Sequence, residues 1–135
     1  MTVRSVFALA AGVAALVAAV PVSAHHSFAA EFDANKKVTI TGTVTKVEWT
    51  NPHARFYVDA KDETGKVVNW DFELASPNGL MRRGWTRNSL KAGDVVTVVG
   101  YGAKNAPHVG NASSLTMSDG RKMFAGSSFE TSQGQ

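Results

Sequence analysis

Val38-Thr39-Ile40-Thr41-Gly42-Thr43-Val44-Thr45-Lys46-Val47-Glu48-Trp49 is the stretch on which the fold turns. Val38, Ile40, Gly42 and Val44 share one parity, and Thr39, Thr41, Thr43 and Thr45 the other. At Val47 and Trp49 the apolar positions have changed parity. A half-buried strand alternates with period two, because successive side chains point to opposite faces. A parity switch inside one run therefore predicts a bulge or sharp bend near Thr45-Lys46. Gly42 adds room for the backbone to coil. The run reads as one long strand that bends midway.

Four more strand-like runs follow. Ala54 to Ala60 sets Phe56 and Val58 against Arg55, Tyr57 and Asp59. Asp62-Glu63-Thr64-Gly65 is a hairpin turn signal. The next run has Val68, Trp70, Phe72 and Leu74 on one face and Asn69, Asp71 and Glu73 on the other. Ser76 then suits an N-cap, Pro77 a first helical residue and Gly84 a helix stop, which predicts a helix over Pro77 to Arg83. The Lys91-Ala92-Gly93-Asp94 turn launches Val95 to Tyr101, an almost wholly apolar run expected to be central. Gly102 to Ala112 reads as a loop, Ser113 to Ser118 as a fifth strand and Asp119-Gly120 as a tight turn before Arg121 to Ala125. The prediction is an all-β chain with one short helix, an OB-fold-like five-stranded barrel. A small antiparallel β-sandwich is the alternative.

At 135 residues the chain has room for one domain. It contains no Cys, which excludes disulfides, thiolate metal sites and Cys nucleophiles. Arg4, the apolar run Val6 to Val20 and Pro21-Val22-Ser23-Ala24 have the three-part build of a secretory signal peptide, with cleavage expected after Ala24. The apolar run is shorter than the about 20 residues that a bilayer span needs. The expected organisation is residues 1–24 as signal, 25–37 as N-terminal arm, 38–126 as barrel and 127–135 as a Ser/Gln/Gly-rich tail. In the arm, Phe28 and Phe32 are the large apolar groups. A periplasmic or secreted protein with no membrane span after cleavage is expected.

The four histidines carry the chemistry. Cleavage after Ala24 exposes the α-amine of His25 beside its own imidazole, a ready chelate, and His26 adds another nitrogen. His53, in Asn51-Pro52-His53, and His108, in Pro107-His108-Val109, occupy loops that flank one binding surface in an OB-fold. Nitrogen-rich donor sets suit Cu(II), so the leading expectation is copper or another divalent transition metal held through His25, His26, His53 and His108. A second reading is a metal-free periplasmic adaptor that meets a protein or anionic partner through Trp49, Arg82, Arg83 and Trp85. A third is oligosaccharide binding.

Nucleic acid fits poorly, because the outward residues of the second and third runs offer Tyr57 as their one aromatic among several carboxylates. No hydrolase, metalloprotease, P-loop or dinucleotide motif occurs, so the chain reads as a binding protein and not an enzyme.

Several segments together resemble a family of small exported bacterial proteins catalogued only as a domain of unknown function. They are His25-His26-Ser27-Phe28, Trp49-Thr50-Asn51-Pro52-His53, Ser76-Pro77-Asn78, Arg83-Gly84-Trp85, Leu90-Lys91 and Gly93-Asp94. The resemblance spans roughly His25 to Arg121. It implies export and a small β-rich domain, and brings no activity or ligand. His108 lies outside its pattern.

Overall fold

The computed structural model describes residues 28–126. The expected signal segment, His25, His26 and the expected tail lie outside the described residues. The chain divides into two units, Met1–Ala30 and Glu31–Gln135. Residues 28–30, the described part of the first, are helical, so a second short helical stretch joins the one predicted. Among the described residues the second unit holds six strands with one helix between them. They are β1 (Phe32–Glu48), β2 (Arg55–Lys61), β3 (Val67–Glu73), α1 (Pro77–Arg82), β4 (Val95–Ala103), β5 (Val109–Met117) and β6 (Lys122–Phe124).

The sheet is mostly antiparallel, in the order β3-β2-β1-β4-β5-β6. A short parallel pairing of β3 with β5, from Asp71↔Val109 to Glu73↔Asn111, joins its flanks into a hydrogen-bonded ring. The all-β, OB-like expectation holds, with two differences. A sixth strand follows the tight turn at Gly120, and the ring is uneven, since β3 and β5 share only a short seam.

The bend in β1 is where the parity switch puts it. Val44 pairs with Val58 and Lys46 with Tyr57, which leaves Thr45 as the extra residue of a bulge. The bulge lets one strand pair with β4 along its first half and with β2 along its second. Gly42 is required there because a Cβ at that position would collide with the Asp59 carbonyl oxygen.

Two boundaries differ from the sequence reading. β1 begins at Phe32, whose ring is buried and whose backbone pairs with Ala103, so the second half of the expected arm is strand. β5 begins at Val109, not Ser113. A second bulge lies there: Val99 pairs with Ser114 but Gly100 with Ala112, which leaves Ser113 over. The alternation of β5 is broken at Ser113, and this hides its first half from any period-two reading.

The core runs through the ring and under α1. Phe56, Val58, Phe72, Leu74, Leu80, Val96, Val98 and Leu115 are fully buried. Each such side chain contributes on the order of 1.5–3 kcal/mol of burial free energy, which is how a chain without disulfides holds together. Phe56 and Phe72 stack at 5.5 Å, and Trp70 stacks on Phe72 at 5.4 Å. Ser76 caps α1 by accepting the Gly79 N–H.

Candidate functional site

The outward residues of β2 and β3 form a polar cluster at the β3–β5 seam. Arg55 lies opposite Glu73 across the β2–β3 ladder, with Asp71 two positions from Glu73 on the same face. Its guanidinium grips Asp71 with two bonds, Nε to Oδ1 and Nη2 to Oδ2, both 3.0 Å. Its third bond, from Nη1, reaches Glu73 Oε2 at 3.4 Å. The fork geometry suits a guanidinium and not an ammonium. Without the cation, two carboxylates on one strand face would repel.

Glu73 is the deepest acid of the cluster, its side chain 14% exposed. Burial raises its carboxyl above the usual carboxylate range, and His53 and Arg55 pull the other way. Its Oε1 accepts from Asn111 Nδ2 at 3.4 Å, and His53 Nδ1 stands 3.7 Å from the same oxygen. Asn111 is 2% exposed, and its Oδ1 has no hydrogen-bond partner among the described residues. Further along this face Tyr57 donates to Glu48, and Lys46 pairs with Glu48.

His53 precedes Ala54, whose N–H donates to the Ala75 carbonyl and whose carbonyl accepts from Leu74, so its backbone is held against the end of β3. The His53 Nδ1 lies 3.1 Å from the Leu74 carbonyl oxygen. A carbonyl only accepts, so Nδ1 carries a proton. The neutral ring then keeps its lone pair on Nε2. A carbonyl or carboxylate behind one ring nitrogen is the usual support of a metal-ligating histidine.

His108 is placed differently. Its backbone sits in the left-handed region at φ 54, its carbonyl accepts the Asp71 N–H, and its ring meets Trp70 edge-on at 5.3 Å. It starts the β3–β5 seam and covers the aromatic stack. The two histidines meet β3 at points three residues apart, about 10 Å along a strand. Among the described residues no three His, Asp or Glu side chains group to hold a metal ion.

The expected Trp and Arg surface needs one correction. Trp85 is 4% exposed and its Nε1 donates to the Phe124 carbonyl at 3.0 Å, so it is a buried anchor and not a contact for a partner. Trp49 is partly buried against the core. Arg82 and Arg83 are exposed, with Arg83 Nη1 also donating to the Gly126 carbonyl. Asn111 and Phe124 escaped the sequence reading. The outward parity of Asp71 and Glu73 signalled the carboxylates, but Asn111 lay in a segment read as loop.

The chain belongs to a family of unknown function (DUF6152), whose model matches residues 13–112. That span takes in His53, Arg55, Asp71, Glu73 and Asn111 and ends before β6. None of the curated proteins matches the chain.

Proposed function

We propose that this member of the family is an exported metal-binding protein that carries or buffers a divalent transition metal, copper foremost. Its role is binding, not conversion. The donors named first are the α-amine and imidazole of His25, freed by cleavage after Ala24, with His26 beside them. An α-amine titrates near pH 8, so a metal displaces its proton close to neutrality. Nitrogen donors favour Cu(II), which also stands at the top of the affinity order for divalent ions.

One observation within the described residues supports the reading: His53 is pinned through Nδ1 to the Leu74 carbonyl, so its neutral ring keeps a lone pair at Nε2. The ring belongs to a half-exposed side chain, with Glu73 behind it. His53 cannot make a metal centre alone, since the described residues offer no three-ligand group.

The test is Cu(II) titration of the protein beginning at His25, read by calorimetry and electron paramagnetic resonance. The same protein with one extra N-terminal Ala is the control. Stoichiometric binding with a nitrogen-rich signal, lost in the control and weakened by His53→Ala, is the expected result. Loss in the control with no effect of His53→Ala would confine the site to the N-terminal chelate. Equal, weak binding in both proteins would end the metal reading.

A further inference from the structure

Residues 74–93 contain no Asp or Glu, and neither do residues 120–126. The two segments are joined in space. Trp85 donates to the Phe124 carbonyl, Arg83 to the Gly126 carbonyl, and the Ala75 N–H to the Ala125 carbonyl at 2.9 Å. They carry Arg82, Arg83, Arg87, Lys91 and Lys122, all exposed, besides Arg121, which pairs with Asp119 at 2.7 Å. The chain as a whole is nearly balanced, 14 basic against 11 acidic residues, so its positive charge is concentrated in this cap.

Two large apolar side chains stand out of the same cap. Phe124 on β6 is 64% exposed and Met81 on α1 is 50% exposed. Lys122 Nζ lies 5.6 Å from the centre of the Phe124 ring, so cation and ring share one surface. A protruding aromatic with Lys122 beside it, on a cap that also carries exposed Arg82, Arg83 and Arg87, matches a bilayer boundary: the ring enters the acyl edge and the cations meet phosphates. An added peptide strand is the competing occupant, since β6 ends the sheet. The Trp85 indole already occupies the Phe124 carbonyl on that edge, which removes an acceptor the added strand would need.

We propose that the α1–β6 cap is a docking surface for the anionic phosphate face of a lipid bilayer, with Phe124 and Met81 as its inserting side chains. This is independent of the metal reading, and Phe124 lies beyond the span matched to the family.

The test is co-sedimentation of the full chain with vesicles of mixed phosphatidylglycerol and phosphatidylcholine, against vesicles of phosphatidylcholine alone. The N-terminal apolar run can bind both kinds, so the readout is the excess on anionic vesicles. That excess is expected to weaken at least thirtyfold in the double variant Arg82→Glu/Arg87→Glu, about thirtyfold from the loss of two cations at roughly 1 kcal/mol each and more from the two added carboxylates. It should fall several-fold in Phe124→Ser, and collapse between about 0.15 M and about 1 M salt as the screening length shrinks from about 8 Å to about 3 Å. Lys61→Glu/Lys66→Glu, the same charge change on the β2–β3 hairpin, should leave most of the excess in place. All these positions are exposed, and circular dichroism checks that each variant folds. No excess on anionic vesicles, or equal losses from both charge pairs, would overturn the proposal. Binding of polyglutamate in place of vesicles, with the same dependence on Arg82 and Arg87, would also overturn it and assign the cap to an acidic protein.

Discussion

The outward face of β2 and β3 and the α1–β6 cap handle charge in opposite ways. On the first, cations meet acids: Arg55 bridges Asp71 and Glu73, and Lys46 pairs with Glu48. On the second, the anchoring hydrogen bonds run to backbone carbonyls, from Trp85 to Phe124 and from Arg83 to Gly126. Arg82 and Arg87 form no ion pair among the described residues. A face whose charges neutralise one another is self-contained and owes its importance to geometry. A face whose cations are left over keeps an attraction for anions in solution. On the two proposals the regions do separate work, positioning of His53 on one and association on the other.

The largest effect separates the two aromatic residues of the cap. Trp85→Ala should cost about 3–5 kcal/mol, the range for a buried Trp truncated in a core, and it also frees the Phe124 carbonyl. Phe124→Ala should change stability by no more than about 0.5 kcal/mol, as for an exposed side chain. Urea denaturation of both variants measures the gap. Equal costs would mean that the cap's outer ring is part of the core, and the division into anchor and docking residue would fall.

An intermediate effect probes the paired face. Arg55→Ala leaves Asp71 and Glu73 facing each other without a cation and should cost about 1–3 kcal/mol. Arg55→Lys should recover only part, because an ammonium cannot make the two parallel bonds to Asp71. Charge reversal at Arg82 and Arg87 should cost next to nothing in the same assay. If Arg55→Ala is equally silent, the supposed contrast between a paired and an unpaired face has no energetic content.

This contrast was only half readable in the sequence, and the reasons are physical. The parity switch before Val47 marked the Thr45 bulge, and Ser76, Pro77 and Gly84 marked α1, because each is a local signal in a single segment. The β3–β5 seam is not local. Asn111 reads as loop because the Ser113 bulge breaks the alternation of β5, and its partner Glu73 lies 38 residues earlier. Trp85 sits among arginines and glycine, so its neighbours suggest a surface. Its indole is anchored through the Phe124 carbonyl to β6, a three-residue strand that no periodicity can announce. His53 is visible in the sequence as a histidine after Asn51-Pro52, but its support, the Leu74 carbonyl, is a backbone group and leaves no mark in the side-chain pattern.

The smallest effect tests the paired face through pH. Burial raises the Glu73 carboxyl, against the pull of His53 and Arg55, so the folded protein holds that proton more tightly than the unfolded chain does. Between the unfolded carboxylate value, about 4.3, and the raised folded value, the folded state binds more protons. Stability contributed by this group is therefore greatest below that window and is lost as pH rises through it. Asp62, held low by the Thr64 hydroxyl, and Asp119, held low by the Arg121 backbone N–H, act with the opposite sign. Both are turn acids, Asp119 exposed and Asp62 partly so, and both are unchanged in Glu73→Gln. Subtracting the variant's pH–stability curve from that of the natural chain thus cancels them. The difference should tilt downward as pH rises out of the acid range, with the natural chain losing ground to the glutamine variant. A constant offset would show that Glu73 is solvated enough to titrate normally. An upward tilt would show that Arg55 and His53 outweigh its burial.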